Sequence, residues 1–207
     1  VIQWPLEERV PIFDLLKVLF ISTSCSALFK GRNNGFPIYS SVCTTIEEAK
    51  GNVALMTVSL QVLANMFHLT LPRVLLLSHF DTTFKAIEHG SGVCTKMVQQ
   101  ALSACIHNLI SAAGDRRGDW SGRVVALLQS TLSSLRHANE ASSWIGPIVI
   151  RYCRSLETLI SLDKKARTMV LHSGLQKTMQ DIVVSRVPTC DRGIVEAATS
   201  HLSLLLN

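Results

Sequence analysis

The sequence predicts an all-α protein, an α-solenoid of the armadillo or HEAT type. Two apolar helical runs, LQVLANMF and ACIHNLI, carry an asparagine at the same place, and these residues, Asn65 and Asn108, are 43 positions apart. A third run, RYCRSLETLI, has Thr158 in that slot, 50 positions further on. Helical periods of about 40–50 residues are typical of HEAT and armadillo repeats, whose stacked helices form a concave binding surface.

The composition also favours buried helices over a β-sandwich. The chain has 207 residues, of which 47% are hydrophobic, 17% charged and 6% aromatic. A sandwich would need turn signals about every 8–12 residues, and the sequence contains no convincing strand. We predict a single domain over residues 1–207 and, because the chain starts at Val1, a fragment of a longer protein.

The helices can be placed in order through the first half. Pro11 begins a helix at the position that proline favours, and residues 30–41, rich in glycine and asparagine, are predicted to be irregular. Threonines at 44–45 followed by glutamates at 47–48 predict a capped helix start. Further helices are predicted over residues 53–67, 72–77, 82–88 and 93–113.

In the second half, residues 114–119 are predicted to form a loop. A helical segment is predicted over residues 141–161, and Gly146-Pro147 is expected to break it early, which leaves residues 148–160 as the inner helix. Asp163 is expected to cap the next helix, and Gly174 to separate two more. The predicted helices cover residues 120–136, 148–160, 164–171, 175–186 and 194–206.

The repeated asparagine slot has two possible explanations. Asparagine lowers helix propensity relative to alanine, so Asn65 and Asn108 require a reason. In a solenoid groove an amide can hydrogen-bond both the N–H and the C=O of an extended peptide. The alternative is a bond to a neighbouring part of the same fold, because buried amides are usually satisfied locally.

The third run places two arginines on one side of its predicted helix. Arg151 and Arg154 are three residues apart, and Thr158 follows Arg151 by seven, so the three lie on nearly the same face. A guanidinium binds a carboxylate through two charge-assisted hydrogen bonds, which favours an acidic peptide as ligand. The alternatives are a solvated face or an ion pair with Glu157 or Asp163.

The charge balance favours an acidic protein partner over nucleic acid, and the apolar pattern predicts no membrane partner. The net charge is +5, from 20 basic and 15 acidic residues, and the basic pairs are Arg116-Arg117 and Lys164-Lys165. Nucleic-acid binders usually have denser basic clusters, although the pair at 116–117 keeps that alternative open. The most apolar stretch, residues 11–29, is interrupted by Asp14 and Lys17, so no transmembrane span is predicted.

The sequence predicts no enzyme, metal site or cofactor. The six cysteines form no CxxC pair, and the HExxH motif and the cysteine-protease signatures are absent. Cys105 and Cys153 fall on helix faces predicted to be buried, where a thiol acts as a small hydrophobic group in a reducing compartment. A hydrolase acting through a cysteine remains the alternative from another functional class.

The opening residues resemble a known family. The pattern from Trp4-Pro5 to the segment PIFDLLKVL, which begins at Pro11, resembles the start of a PUL domain. This domain is the C-terminal armadillo-like module of phospholipase-activating protein and its fungal relatives. The resemblance continues through residues 60–67, 101–110 and 150–160 and the closing leucine-rich helix, so it covers almost the whole chain.

The resemblance implies a right-handed solenoid of about six repeats, forming the C-terminal part of its parent protein. It implies a basic concave groove that captures the acidic C-terminal tail of the hexameric AAA ATPase segregase, valosin-containing protein. The expected setting is ubiquitin-dependent protein turnover in the cytoplasm and nucleus, with ubiquitin bound through upstream domains. An armadillo-type adaptor for a different acidic partner is the alternative.

The resemblance also implies site residues. Arg151 matches a groove arginine of the family, and Asn65 and Asn108 match its inner-helix asparagines. A second groove arginine falls at Gln61, so this chain lacks that charge, and we expect Lys17, Arg154 or another basic residue to replace it. Thr158 completes the predicted peptide-binding set.

Overall fold

The computed structural model describes residues 4–30, 33–114, 120–137 and 142–206. These ranges contain α-helices, short 3-10 helices and connecting turns, with no strand among them. The predicted all-α fold class, with helices packed on one another, is confirmed. The chain divides into two compact units, Val1–Ala112 and Ala113–Asn207, and the single domain over 1–207 stays a prediction.

The first unit begins with a 3-10 helix, Leu6–Glu8, and has a second one, Thr23–Phe29, between its first two α-helices. Its α-helices are α1 (Arg9–Leu19), α2 (Phe36–Glu48), α3 (Val53–Met66), α4 (Thr70–Ser78), α5 (Phe80–His89) and α6 (Lys96–Ala113), whose last residue already belongs to the second unit. The second unit contains α7 (Trp120–Arg136), α8 (Ile145–Leu162), α9 (Lys164–Ser173), α10 (Leu175–Arg186) and α11 (Thr189–Leu206).

Helix α3 forms the centre of the first unit. It is apolar around most of its circumference, and it packs against α1 and α2. The side chain of Asn52 caps it, since Oδ1 accepts a hydrogen bond from the Leu55 N–H at 3.0 Å. Its fully buried side chains include Leu55, Leu60, Val62, Leu63 and Met66. A helix that is apolar all round is stable only when other helices cover it, as they do here.

The prediction for residues 30–48 was wrong in two respects. Helix α2 already begins at Phe36, because Gly35 adopts a left-handed conformation (φ +71°) and Pro37 fits the first turn. The threonines and glutamates taken for a helix start lie instead in the last turns of α2. Thr45 is buried there, and its Oγ1 accepts a hydrogen bond from the Arg9 guanidinium at 3.1 Å.

In the second unit, Gly146-Pro147 does not interrupt its helix. Helix α8 begins at Ile145, so Pro147 occupies the first turn, where its missing N–H leaves no bond unmade. A Cβ on Gly146 would lie 3.1 Å from Val195, so the glycine permits close packing of α8 on α11. Asp163 caps α9 as predicted, accepting a hydrogen bond from the Lys165 N–H at 2.9 Å.

In the part of the chain that the structure describes, no single helix is long and apolar enough to cross a membrane. Two bent pairs, α1 with the 3-10 helix after it and α3 with α4, pass that test only jointly, by length and composition.

Candidate functional site

The two asparagines of the repeated slot bond to neighbouring helices in the first unit. Asn65 Nδ2 donates to the carbonyl oxygen of Lys17 at 2.9 Å, and Asn108 Nδ2 donates to that of Ala64 at 3.0 Å. Both accepting residues lie two positions before the last residue of their helix, α1 and α3 respectively. Each asparagine therefore bonds an end carbonyl that has no partner within its own helix.

The sequence left two explanations for the repeated asparagine open, peptide binding and a hydrogen bond within the fold. These bonds correspond to the second explanation. One N–H of each amide is used, while a primary amide has a second N–H and an oxygen acceptor. Thr158 behaves differently, because its Oγ1 donates to the carbonyl of Arg154 on the same helix at 2.9 Å.

We expect Asn65→Ala and Asn108→Ala each to lower the free energy of unfolding by about 1 kcal/mol, since a helix-end carbonyl loses its partner. Urea denaturation measures this loss. The matched control is Gln61→Ala, because Gln61 is half-buried on α3 one turn before Asn65 and makes no side-chain hydrogen bond to the described residues. Equal effects at all three positions would contradict a special role for the asparagine bonds.

Lys17 lies beside Asn65 through its backbone, yet its charge is already paired. Lys17 Nζ is 2.5 Å from Asp14 Oδ1, one turn earlier on α1. An exposed ion pair of this kind adds little stability, but the neighbouring carboxylate partly cancels the field of the ammonium. Lys17 is therefore a weak replacement for the groove arginine that the sequence resemblance implied at the position of Gln61.

A pocket of about 220 Å³ lies at the ends of α3 and α6 in the first unit. It includes Asn108, which the sequence singled out, and Arg73, which the sequence did not. Arg73 is exposed in the first turn of α4, and its guanidinium has no hydrogen bond or ion pair with the described residues. The complete lining is Phe67, His68, Arg73, Asn108, Ser111 and Ala112.

In the second unit, one face of α8 carries a row of polar residues that we call the α8 stripe: Arg151, Arg154, Thr158 and Ser161. Arg154 is exposed, Arg151 and Thr158 are half-buried, and the spacing of three and four residues keeps them in line. Arg154 forms no side-chain hydrogen bond or ion pair with the described residues. The geometry thus matches the one-sided arrangement predicted from the sequence.

The two acids considered as ion-pair partners for these arginines are held by other groups. Glu157 Oε1 lies 2.8 Å from His201 Nδ1 on α11. Asp163 accepts hydrogen bonds from Ser121 Oγ at 2.6 Å and from the Lys165 N–H. Each acid thus has a hydrogen-bond partner outside the α8 stripe.

A larger pocket, of about 680 Å³, lies at the ends of α7 and α10. Its two arginine side chains are engaged within the fold. Arg136 pairs with Asp181 at 3.3 Å, and Arg186 Nε donates to the Arg136 carbonyl at 2.8 Å. It is therefore a weaker candidate for an acidic ligand. The pair Arg116-Arg117, considered for nucleic acid, lies outside the described residues.

The buried cysteines are poorly suited to nucleophilic chemistry. Burial raises the pKa of the thiols of Cys43 and Cys153 to about 12, and it also raises the pKa of Cys105, which donates to the Leu60 carbonyl at 3.1 Å. A thiol with a raised pKa provides almost no thiolate at neutral pH. Within the described ranges, no group of three histidine, cysteine or acidic side chains is placed to hold a metal ion.

Stacked helices with polar, basic surfaces define a helical-repeat protein-interaction module. A family model for the PUL domain matches residues 1–146, more than two thirds of the chain, and the chain belongs to this family. PUL is a family of protein-binding domains rather than of catalytic ones. No curated protein and no solved structure matches the chain. The match ends before Arg151, so the α8 stripe lies beyond it.

Proposed function

We propose that this domain captures the acidic C-terminal tail of the hexameric AAA ATPase segregase, valosin-containing protein, with the α8 stripe binding carboxylates of the tail. The observation that carries the proposal is the placement of Arg151 and the exposed Arg154 on one face of α8. The distribution of charged residues along the sequence also supports an acidic ligand. Residues 113–207 contain twelve of the 20 basic residues but only eight of the 15 acidic ones.

The physical basis is charge-assisted hydrogen bonding at a solvent-accessible helix face. A guanidinium presents two parallel N–H groups to a carboxylate, which gives both attraction and orientation. The proposed partner is an extended tail, so main-chain hydrogen bonds add to the affinity. The tail loses conformational entropy when it becomes ordered on binding, and this loss lowers the affinity. Because the attraction acts between exposed charges, dissolved salt screens it.

In the cell, the proposed role is that of a non-catalytic adaptor in ubiquitin-dependent protein turnover, in the cytoplasm and nucleus. Ubiquitin would be recognised by other parts of the parent protein. The alternative is an armadillo-type adaptor for a different acidic protein. The loss of the family's second groove arginine at Gln61 favours this alternative, because the neighbouring Lys17 is already paired with Asp14.

The test is a fluorescence-anisotropy titration of the domain with the segregase tail peptide at low and at physiological salt. We expect saturable binding whose dissociation constant rises with salt, because screening weakens contacts between exposed charges. The control is the same peptide with every aspartate and glutamate changed to its amide. No binding at either salt would exclude the segregase tail as the partner, and equal binding of the amide peptide would exclude recognition by charge.

A further inference from the structure

The pocket between α3, α4 and α6 has the chemistry of an anion site. Its polar lining residues are Arg73, Asn108, Ser111 and His68, of which the first three offer hydrogen-bond donors, and none of its lining residues is acidic. A carboxylate placed there would meet no like charge within the lining. Arg73 has no ion pair or hydrogen bond to the described residues that it would have to give up.

The carbonyl groups at the C-terminal end of α3 repel an anion less than those of a helix whose last carbonyls are all unpaired. A helix C-terminus carries negative partial charge on its unpaired carbonyls. Here the Ala64 carbonyl accepts from Asn108 Nδ2, and the Asn65 carbonyl accepts from the His68 N–H at 3.1 Å. The side chain that lines the pocket thus also neutralises one of the carbonyls behind it.

We propose that this pocket binds one carboxylate of an acidic peptide, with Arg73 as the charged donor and Asn108 and Ser111 as neutral donors. The inference rests on the proposed function, since the carboxylate belongs to the captured acidic peptide. Arg73 provides within the first unit the unpaired cation that Gln61 and Lys17 do not. The carboxylate comes either from an aspartate or glutamate side chain or from the C-terminus of the peptide.

The peptide experiment compares the parent with Arg73→Gln and with Lys96→Gln. Lys96 is exposed in the same unit and outside the pocket, so its replacement removes the same charge without touching the lining. We expect Arg73→Gln to weaken binding of the tail peptide about tenfold or more, because a charge-assisted hydrogen bond is lost. Lys96→Gln is expected to bind nearly as the parent does, and equal weakening by both variants would overturn the inference.

Modified peptides identify the source of the carboxylate. If the pocket takes the C-terminus, amidating it weakens binding to the parent but not to Arg73→Gln. A second set of peptides has one aspartate or glutamate at a time changed to its amide. If the pocket takes a side-chain carboxylate, one of these peptides binds the parent more weakly but binds Arg73→Gln unchanged. If every modification weakens peptide binding to Arg73→Gln as much as it weakens binding to the parent, the inference is wrong.

A second measurement is independent of the segregase tail. In ¹⁵N-labelled domain, added sodium acetate should shift the side-chain amide signal of Asn108 in the parent and not in Arg73→Gln, with sodium chloride as the control. Acetate-specific shifts together with no tail binding would support the pocket while rejecting the proposed partner. The absence of such shifts in the parent would reject the pocket even if the tail binds elsewhere.

Discussion

Arg151→Glu is expected to abolish capture of the acidic tail while the domain stays folded. The change removes a guanidinium from the α8 stripe and places a carboxylate one turn from Arg154, so repulsion is added to the lost charge-assisted hydrogen bonds. We expect the dissociation constant to rise about 100-fold or more. Fluorescence anisotropy measures the binding, and circular dichroism during thermal unfolding verifies the fold.

The matched control for this variant is Lys177→Glu, which makes the same charge change at an exposed position on α10. It should bind as the parent does apart from a small general electrostatic effect. Arg154→Ala should give an intermediate loss, because it removes one cation without adding a negative charge. Parent-like binding by Arg151→Glu would show that α8 does not contact the tail.

Gly35→Ala is expected to cause a large loss of stability. Gly35 has φ +71°, a conformation that costs an L-residue about 1–2 kcal/mol. A Cβ at this position would also overlap the ring of Phe29, which is buried in the first unit. Overpacking of this kind costs about 1–3 kcal/mol, so we expect the free energy of unfolding to fall by about 2–5 kcal/mol in urea denaturation.

Gly51→Ala separates the two causes. Gly51 has φ +83°, but no described atom beyond its two chain neighbours lies within 4 Å of the position that its Cβ would take. It should therefore lose only the conformational contribution, about 1–2 kcal/mol. If Gly35→Ala were no more destabilising than Gly51→Ala, the contact with Phe29 would not constrain the entry into α2.

The sequence predicted most helices because their apolar periodicity is strong. Helices α7 and α10 begin and end where expected, and α3 differs by one residue. Helix α2 was placed wrongly because its first turn contains glycine and proline, which resemble a loop in one dimension. The threonine and glutamate signals near its end resemble a cap, and only the fold shows that Thr45 faces Arg9 instead.

The candidate site was less accessible to sequence analysis. The spacing of Arg151, Arg154 and Thr158 within one helix is a local property, so their common face could be predicted. Arg73 could not be found in this way, because its proximity to Asn108 depends on the 108° bend between α3 and α4 and on the packing of α6. No local pattern connects two residues 35 positions apart on different helices.

The asparagine bonds also have a geometrical consequence. Apolar contact between parallel ridges is not directional, so two packed helices could slide past each other by a turn and still bury similar surface. The hydrogen bond from Asn65 reaches one carbonyl of α1, and the hydrogen bond from Asn108 reaches one carbonyl of α3. The two amides therefore fix the axial register of α3 on α1 and of α6 on α3. If one residue were inserted into α6 before Asn108, the helix could keep either the hydrogen bond of Asn108 or the burial of its apolar face, but not both.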